Sequence, residues 1–169
     1  MSGKKGSRYE RELVNRFESL GWGALRCPAS GGATNRELPD VLAGREVGYR
    51  DHLDGIANAL SVNRSHKDAL ECAASVRAFT DSYAIELKSG NSTTLYVDRE
   101  EVKALKSFAQ SFGATPLLGA RFTTQASSTD IYLVKPEDAR MTPKAYGLPL
   151  SDIEQRTHLR VSKHGVQRM

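Results

Sequence analysis

The chain has 169 residues, with 24 Lys and Arg against 20 Asp and Glu, a formal net charge of +4 that permits a polyanionic partner without requiring one. That length suits one domain with a real core; Cys27 and Cys72 are too few for a disulfide framework, and no Cys/His cluster has zinc spacing, so both read as free thiols in a reducing compartment. No apolar run resembles a signal peptide or reaches the ~20 residues of a membrane span, which leads us to expect a cytoplasmic protein with no membrane partner.

Ser7 followed by Glu10 has the form of a capping box, and Leu13, Val14, Phe17 and Leu20 recur at helical spacing, so a helix is predicted from about residue 8 to 20. Gly21 and Gly23 close it, and Trp22, Ala24 and Leu25 suggest a strand toward Arg26. Residues 28–37, rich in Ser, Gly, Thr and Asn, read as a loop; residues 38–44, beginning at the Leu38-Pro39 pair and closing at Gly44, read as a short strand. Residues 45–82 read as a helical insertion, because Leu53, Ile56, Ala57 and Leu60, then Ala69, Leu70, Ala73, Ala74 and Val76, have helical spacing. Tyr83, Ile85 and Leu87 alternate with Ala84, Glu86 and Lys88 at period two, a strand, and residues 93–97 have the composition of another, expected to lie beside it.

Asp98, with Glu101 three residues on, caps a predicted helix whose apolar stripe of Val102, Leu105, Phe108, Ala109 and Phe112 stops at Gly113. Residues 116–122 and 130–134 read as two closing strands, and after Pro136 the pattern dissolves into a tail. The order implies an α/β protein with a mixed central sheet flanked by helices: one domain over residues 1–138, interrupted by the insertion at about 45–82, with a tail over 139–169.

On a strand, alternate side chains share a face, so Glu86 and Lys88 project together, opposite Tyr83, Ile85 and Leu87. A covered charge is costly unless paired or bound to metal, which leaves either an ordinary ion pair or a functional site. Asp40, at the start of a short apolar strand, has the same need; with Glu86 on a neighbouring strand it would make a hard-oxygen site suited to Mg²⁺. Phosphodiester hydrolysis uses such a site, with Lys88 orienting the water or neutralising charge on phosphorus. Glu10, at the margin of the first helix's buried stripe, either joins this site or folds back as the capping glutamate. Arg26, Arg36, Ser30 and Thr34, with Gly31 and Gly32, suit either phosphate contacts or a plain surface loop, and Lys4, Lys5, Arg8 and Arg11 suit either DNA or a solvated helix face.

Pro39-Asp40 followed by Glu86-Leu87-Lys88 resembles the PD-(D/E)xK nuclease motif, which implies a restriction-endonuclease-like core. Its surroundings, residues 6–14, 26–31, 38–44 and 108–113, resemble successive segments of the archaeal Holliday junction resolvase family, and the resemblance covers roughly residues 4–44 and 83–135. It implies a homodimer that binds DNA four-way junctions by shape and nicks opposing strands symmetrically, using Mg²⁺ or Mn²⁺. By that similarity Glu10, Asp40 and Glu86 would hold metal, Lys88 would stabilise the transition state, Ser30 would contact the scissile phosphate or its water, and Arg11 and Arg26 would grip the backbone. Phe108 and Phe112 would meet the partner in the dimer or, alternatively, fill the monomer core. This chain departs from the family's compact hairpin in the long segment between Asp40 and Glu86, an insertion that costs little closure entropy if its ends stay close. The competing readings are a restriction- or repair-type nuclease on the same fold and a non-catalytic junction-binding protein. The latter gives no physical reason to keep several mutually repelling carboxylates.

Overall fold

The computed structural model describes residues 3–27, 38–46, 80–124 and 129–169, with side chains from Ser7 to Cys27, Leu38 to Arg45, and Asp81 onward. The expected loop at 28–37, with Ser30 and Arg36, and the expected helices at 53–60 and 69–76 lie outside the described residues. The chain divides into two compact units, Met1–Ala43 with Ser82–Met169, and Gly44–Asp81. Within the second unit, Arg45 Nε reaches Asp81 Oδ2 at 3.4 Å, so the two ends of that segment are tied by an ion pair.

In chain order the first unit builds α1 (Gly3–Ser19), β1 (Gly23–Arg26), β2 (Val41–Glu46), β3 (Thr80–Gly90), β4 (Thr94–Asp98), α2 (Arg99–Phe112), β5 (Thr115–Phe122) and β6 (Ile131–Val134). There follow β7 (Arg140–Met141), β8 (Ala145–Pro149), a short 3-10 turn (Leu150–Asp152), α3 (Ile153–Arg156), β9 (Thr157–Val161) and β10 (Val166–Arg168), with β2 and β3 running on into the second unit. Seven strands form one sheet in the order β1-β2-β3-β5-β6-β9-β10, and β4-β8-β7 form a second, three-stranded sheet. β3 and β5 run parallel, Tyr83 opposite Thr115 through Gly90 opposite Phe122. A parallel pair needs a crossover, and here it carries β4 and α2.

Alternation along the central strands separates two cores. On one face Leu13 and Phe17 of α1 pack with Tyr83, Ile85, Leu87, Leu117, Leu133 and Leu159. On the other, Val102, Leu105 and Ala109 of α2 and Leu95, Val97 and Leu148 of the small sheet cover Ala84, Leu118, Ala120, Tyr132 and Val134. Arg16 is buried among these contacts and donates to the Val161 and Thr129 carbonyls at 3.0 and 2.8 Å while pairing with Glu12. A buried cation so satisfied holds α1 against the β9 end of the sheet.

Three expectations are corrected. α1 begins at Gly3, so Ser7 lies inside the helix and forms no N-cap for Glu10 to complete. β3 and β4 are not neighbours: β3 is flanked by β2 and β5 and has no free edge, while β4 pairs with β8, Leu95 opposite Leu148. Residues 139–169 are not a tail, because β8 completes the small sheet and β9 joins the main sheet beside β6. Thr157, Leu159 and Val161 are buried in alternation with His158 and Arg160, a period-two pattern too short to stand out between glycines and prolines.

Gly119 lies opposite Leu87, and a Cβ there would stand 2.7 Å from Leu87 Cδ1 and 3.3 Å from Leu133 Cδ2. Gly119→Ala is therefore expected to cost about 1–3 kcal/mol through overpacking, read as a lower urea midpoint; an unchanged midpoint would show that the leucines yield freely.

Candidate active site

β3 is the scaffold of the site. Its alternation sends Leu87 into the α1-side core and turns Glu86 and Lys88 toward α2, where Lys88 Nζ lies 3.1 Å from Glu86 Oε1 and 2.8 Å from Glu101 Oε1. Asp40, immediately before β2, accepts the Leu87 backbone N–H on Oδ2 at 2.8 Å, and its carbonyl accepts the Cys27 N–H at 2.9 Å. The first bond places the Asp40 carboxylate against the backbone N–H of Leu87, the one residue between Glu86 and Lys88; the second ties the end of β1 to the same point. Glu10, from α1, has Arg26 as its direct partner, Nε to Oε2 3.6 Å.

These groups feel one another. Burial, reinforced by the Asp40 charge and opposed by Lys88, pushes the Glu86 carboxyl up to about 7. Asp40 is also raised, by burial, against the opposing pull of the Leu87 amide and Lys88. Glu10 is raised by burial and then by Asp40, with Arg26, Arg11 and Lys88 opposing. Burial disfavours the Lys88 charge, but Glu101 and Glu86 outweigh it and hold the ammonium above its usual range. Burial thus keeps three carboxyls reluctant to ionise beside the Lys88 ammonium and the Arg26 guanidinium, a state that a bound cation would relieve.

Among the described residues no three His, Cys, Asp or Glu side chains form a ready-made cation cage. Glu86 is engaged by Lys88 and Asp40 by the Leu87 amide. The donor set nonetheless fits a hard divalent ion, since Mg²⁺ usually takes one or two carboxylates and completes its shell with water and substrate phosphate.

The sign of the carboxyl shifts makes a test of the metal-free protein. A folded-state pKa above the unfolded one contributes stability that is complete below the unfolded value and lost as pH rises through the folded value. Lys88 stays protonated throughout that window. Glu86 at about 7 against an ordinary 4.5 should therefore remove on the order of 2–3 kcal/mol between about pH 5 and pH 8. The Tm in EDTA should fall over that interval, and Mg²⁺ or Mn²⁺ should restore most of it at the upper end. A Tm that rises steadily through the interval would contradict the arrangement.

Arg8 and Arg11 are exposed on α1 and Arg26 is exposed at the end of β1, whereas the side chains of Lys4 and Lys5 lie outside the described residues. Phe108 is half-buried and Phe112 is 59% exposed, their rings stacked with centroids 5.6 Å apart, so Phe112 does not fill the monomer core. Two side chains have contacts that their sequence context does not announce. Glu101 has the spacing of a capping residue, yet its carboxylate takes the Asp98 N–H at 3.0 Å and Lys88 Nζ together. Arg121, opposite Ser89 on β5, sets its guanidinium 5.5 Å from the Tyr9 ring centroid, a long-range contact for which local sequence holds no signal.

A mixed sheet with helices against its faces, with a carboxylate–lysine strand beside a second carboxylate, is a restriction-endonuclease-like fold. A family model for the archaeal Holliday junction resolvase (Hjc) matches residues 1–49 and 71–162, and the chain belongs to that family. A curated relative, the crossover junction endodeoxyribonuclease Hjc of Sulfolobus acidocaldarius, is 29% identical over 123 residues, 72% of this chain and 63% of its own length. The match thus spans under two thirds of that relative. The structure of Archaeoglobus fulgidus Hjc, a Holliday junction resolvase from an archaeal hyperthermophile, superposes with a TM-score of 0.58 at 21% identity, covering 88% of this chain and 92% of the other, a likeness of fold.

Proposed function

We propose that this protein is a structure-selective DNA endonuclease that resolves four-way junctions by metal-dependent, symmetric nicking of opposing strands. The observation that carries the reading is the Asp40–Leu87 hydrogen bond, which draws the carboxylate of β2's approach beside Glu86 and Lys88. Family membership supports the substrate class, since the curated relative is named a crossover junction endodeoxyribonuclease.

Asp40 and Glu86 would hold Mg²⁺, or Mn²⁺ in its place, with Glu10 completing the set from α1. When bound, the ion supplies Lewis acidity at the phosphoryl oxygen and a more acidic water. Lys88, held between Glu86 and Glu101, would offer an ammonium to the charge that develops on the phosphoryl oxygens. Ser30 would contact the scissile phosphate or its water, and Arg26, Arg36, Arg11, Arg8, Lys5 and Lys4 the flanking backbone. Two symmetric nicks require two sites, and the exposed Phe112 stacked on Phe108 supports a homodimer formed across α2. The protein would act within the cell; among the described residues no helix is long and apolar enough to cross a membrane.

The test is incubation of an end-labelled immobile junction, and of a linear duplex of the same sequence, with the protein and Mg²⁺. Paired nicks on opposing strands of the junction alone are expected. Equal cutting of the duplex would favour a restriction- or repair-type nuclease, and tight junction binding with neither cutting nor divalent-ion affinity would favour an architectural protein.

A further inference from the structure

A groove runs along the outer face of α1, lined by Arg8, Arg11, Asn15 and Ser19 on the helix and by Lys163 from the turn between β9 and β10. The spacing of the helical residues puts them on one stripe about 16 Å long, the rise of eleven residues at 1.5 Å each. Arg16 and Glu12 also line it but are engaged with one another, and Arg16 is further spent on two backbone carbonyls. What remains toward solvent is a surplus of positive charge: Arg8, Arg11 and Lys163 are exposed, and among the described residues neither Arg11 nor Lys163 makes an ion pair.

The backbone of the turn that presents Lys163 is tied by its own hydrogen bonds. The Ser162 N–H donates to the Gly165 carbonyl at 3.0 Å, and Ser162 Oγ accepts the His164 and Gly165 N–H groups at 3.1 Å each. β10 then pairs back on β9, and Arg168 donates to the Tyr83 hydroxyl at 3.0 Å, anchoring the hairpin to the sheet. The match to the family model ends at residue 162, so Lys163 and β10 lie beyond the segment that the model covers. A cation facing two arginines and an asparagine donor across a groove suits a run of phosphates, with contacts that position a backbone without reading its sequence.

We infer that this groove binds the phosphodiester backbone of a duplex arm of the junction, with Lys163 forming its far wall. The inference rests on the nuclease reading and adds the β9–β10 turn to the surface that contacts DNA.

Binding of the full chain to a fluorescent immobile four-way junction in EDTA, across a range of salt concentrations, tests it. Lys163→Ala should weaken the Kd roughly three- to tenfold and lower the slope of log Kd against log salt by about 1, and Lys163→Glu should weaken binding further. Lys163→Arg should keep both quantities, and Lys144→Ala, which removes an exposed cation beside the small sheet, should change neither. A parent that binds no junction overturns this inference together with the nuclease reading. A parent that binds, with Lys163→Ala retaining its Kd and slope, overturns this inference alone and leaves the groove to an acidic protein segment.

Discussion

Glu86→Ala should reduce single-turnover nicking of an immobile junction by at least about 10³-fold, with junction affinity within a few fold of the parent. Two losses combine. One of the two carboxylates paired with Lys88 disappears, and with it a donor for the divalent ion; Lys88 is left with Glu101 as its remaining carboxylate partner, drawn toward α2. Glu86→Gln should show nearly the same loss, because it keeps the volume and removes the charge that the ion requires. Asp40→Asn should fall close to it, and the double variant should be little worse than either single one, as expected of residues that act as a unit. A Glu86→Ala protein that nicks within tenfold of the parent would show that the chemistry lies elsewhere.

Phe17→Ala should destabilise the protein by about 3–5 kcal/mol, a fall in Tm of about 10 °C. Phe17 is wholly buried, its ring 5.2 Å from that of Trp22, which lies 5.8 Å from Tyr83 on β3. The substitution leaves a cavity between α1 and the sheet in a core too closely packed to collapse without disturbing the strand that carries Glu86 and Lys88. Since α1 also carries Glu10 and Arg11, nicking near the new Tm should fall more steeply than the folded fraction. A loss of under about 1 kcal/mol would mean that α1 is held by its Arg16 contacts rather than by this core.

How much of this was legible depended on how local the cause was. α2 could be read nearly to the residue because Asp98, the stripe from Val102 to Ala109 and Gly113, at φ 78°, are all local signals that agree. β3 announced itself by the alternation of Tyr83, Ile85 and Leu87 with Glu86 and Lys88 for the same reason. The start of α1 is not legible because Gly3 to Gly6 contains no apolar residue to extend the stripe, so Ser7, with Glu10 three residues on, has the form of a cap. The partner of β4 was illegible because strand pairing is non-local: nothing in residues 93–97 names β8, some fifty residues on, as the edge it would meet.

The candidate site divides in the same way. Its residue types could be listed from motif and alternation, and the family resemblance supplied their grouping. The Leu87 N–H that orients Asp40 is a backbone group and carries no signature in sequence at all. Glu101 was hidden by its other task, since a capping glutamate and a lysine-holding glutamate look alike until β3 is placed beside α2.

The most direct measurement is anomalous diffraction from crystals of the protein soaked in Mn²⁺. A single strong peak within about 2.1 Å of carboxylate oxygens from both Asp40 and Glu86, with the Lys88 ammonium beside it, is the expected result. Manganese bound only elsewhere, with those two carboxylates still turned to the Leu87 amide and to Lys88, would contradict the shared cation on which the nuclease reading stands.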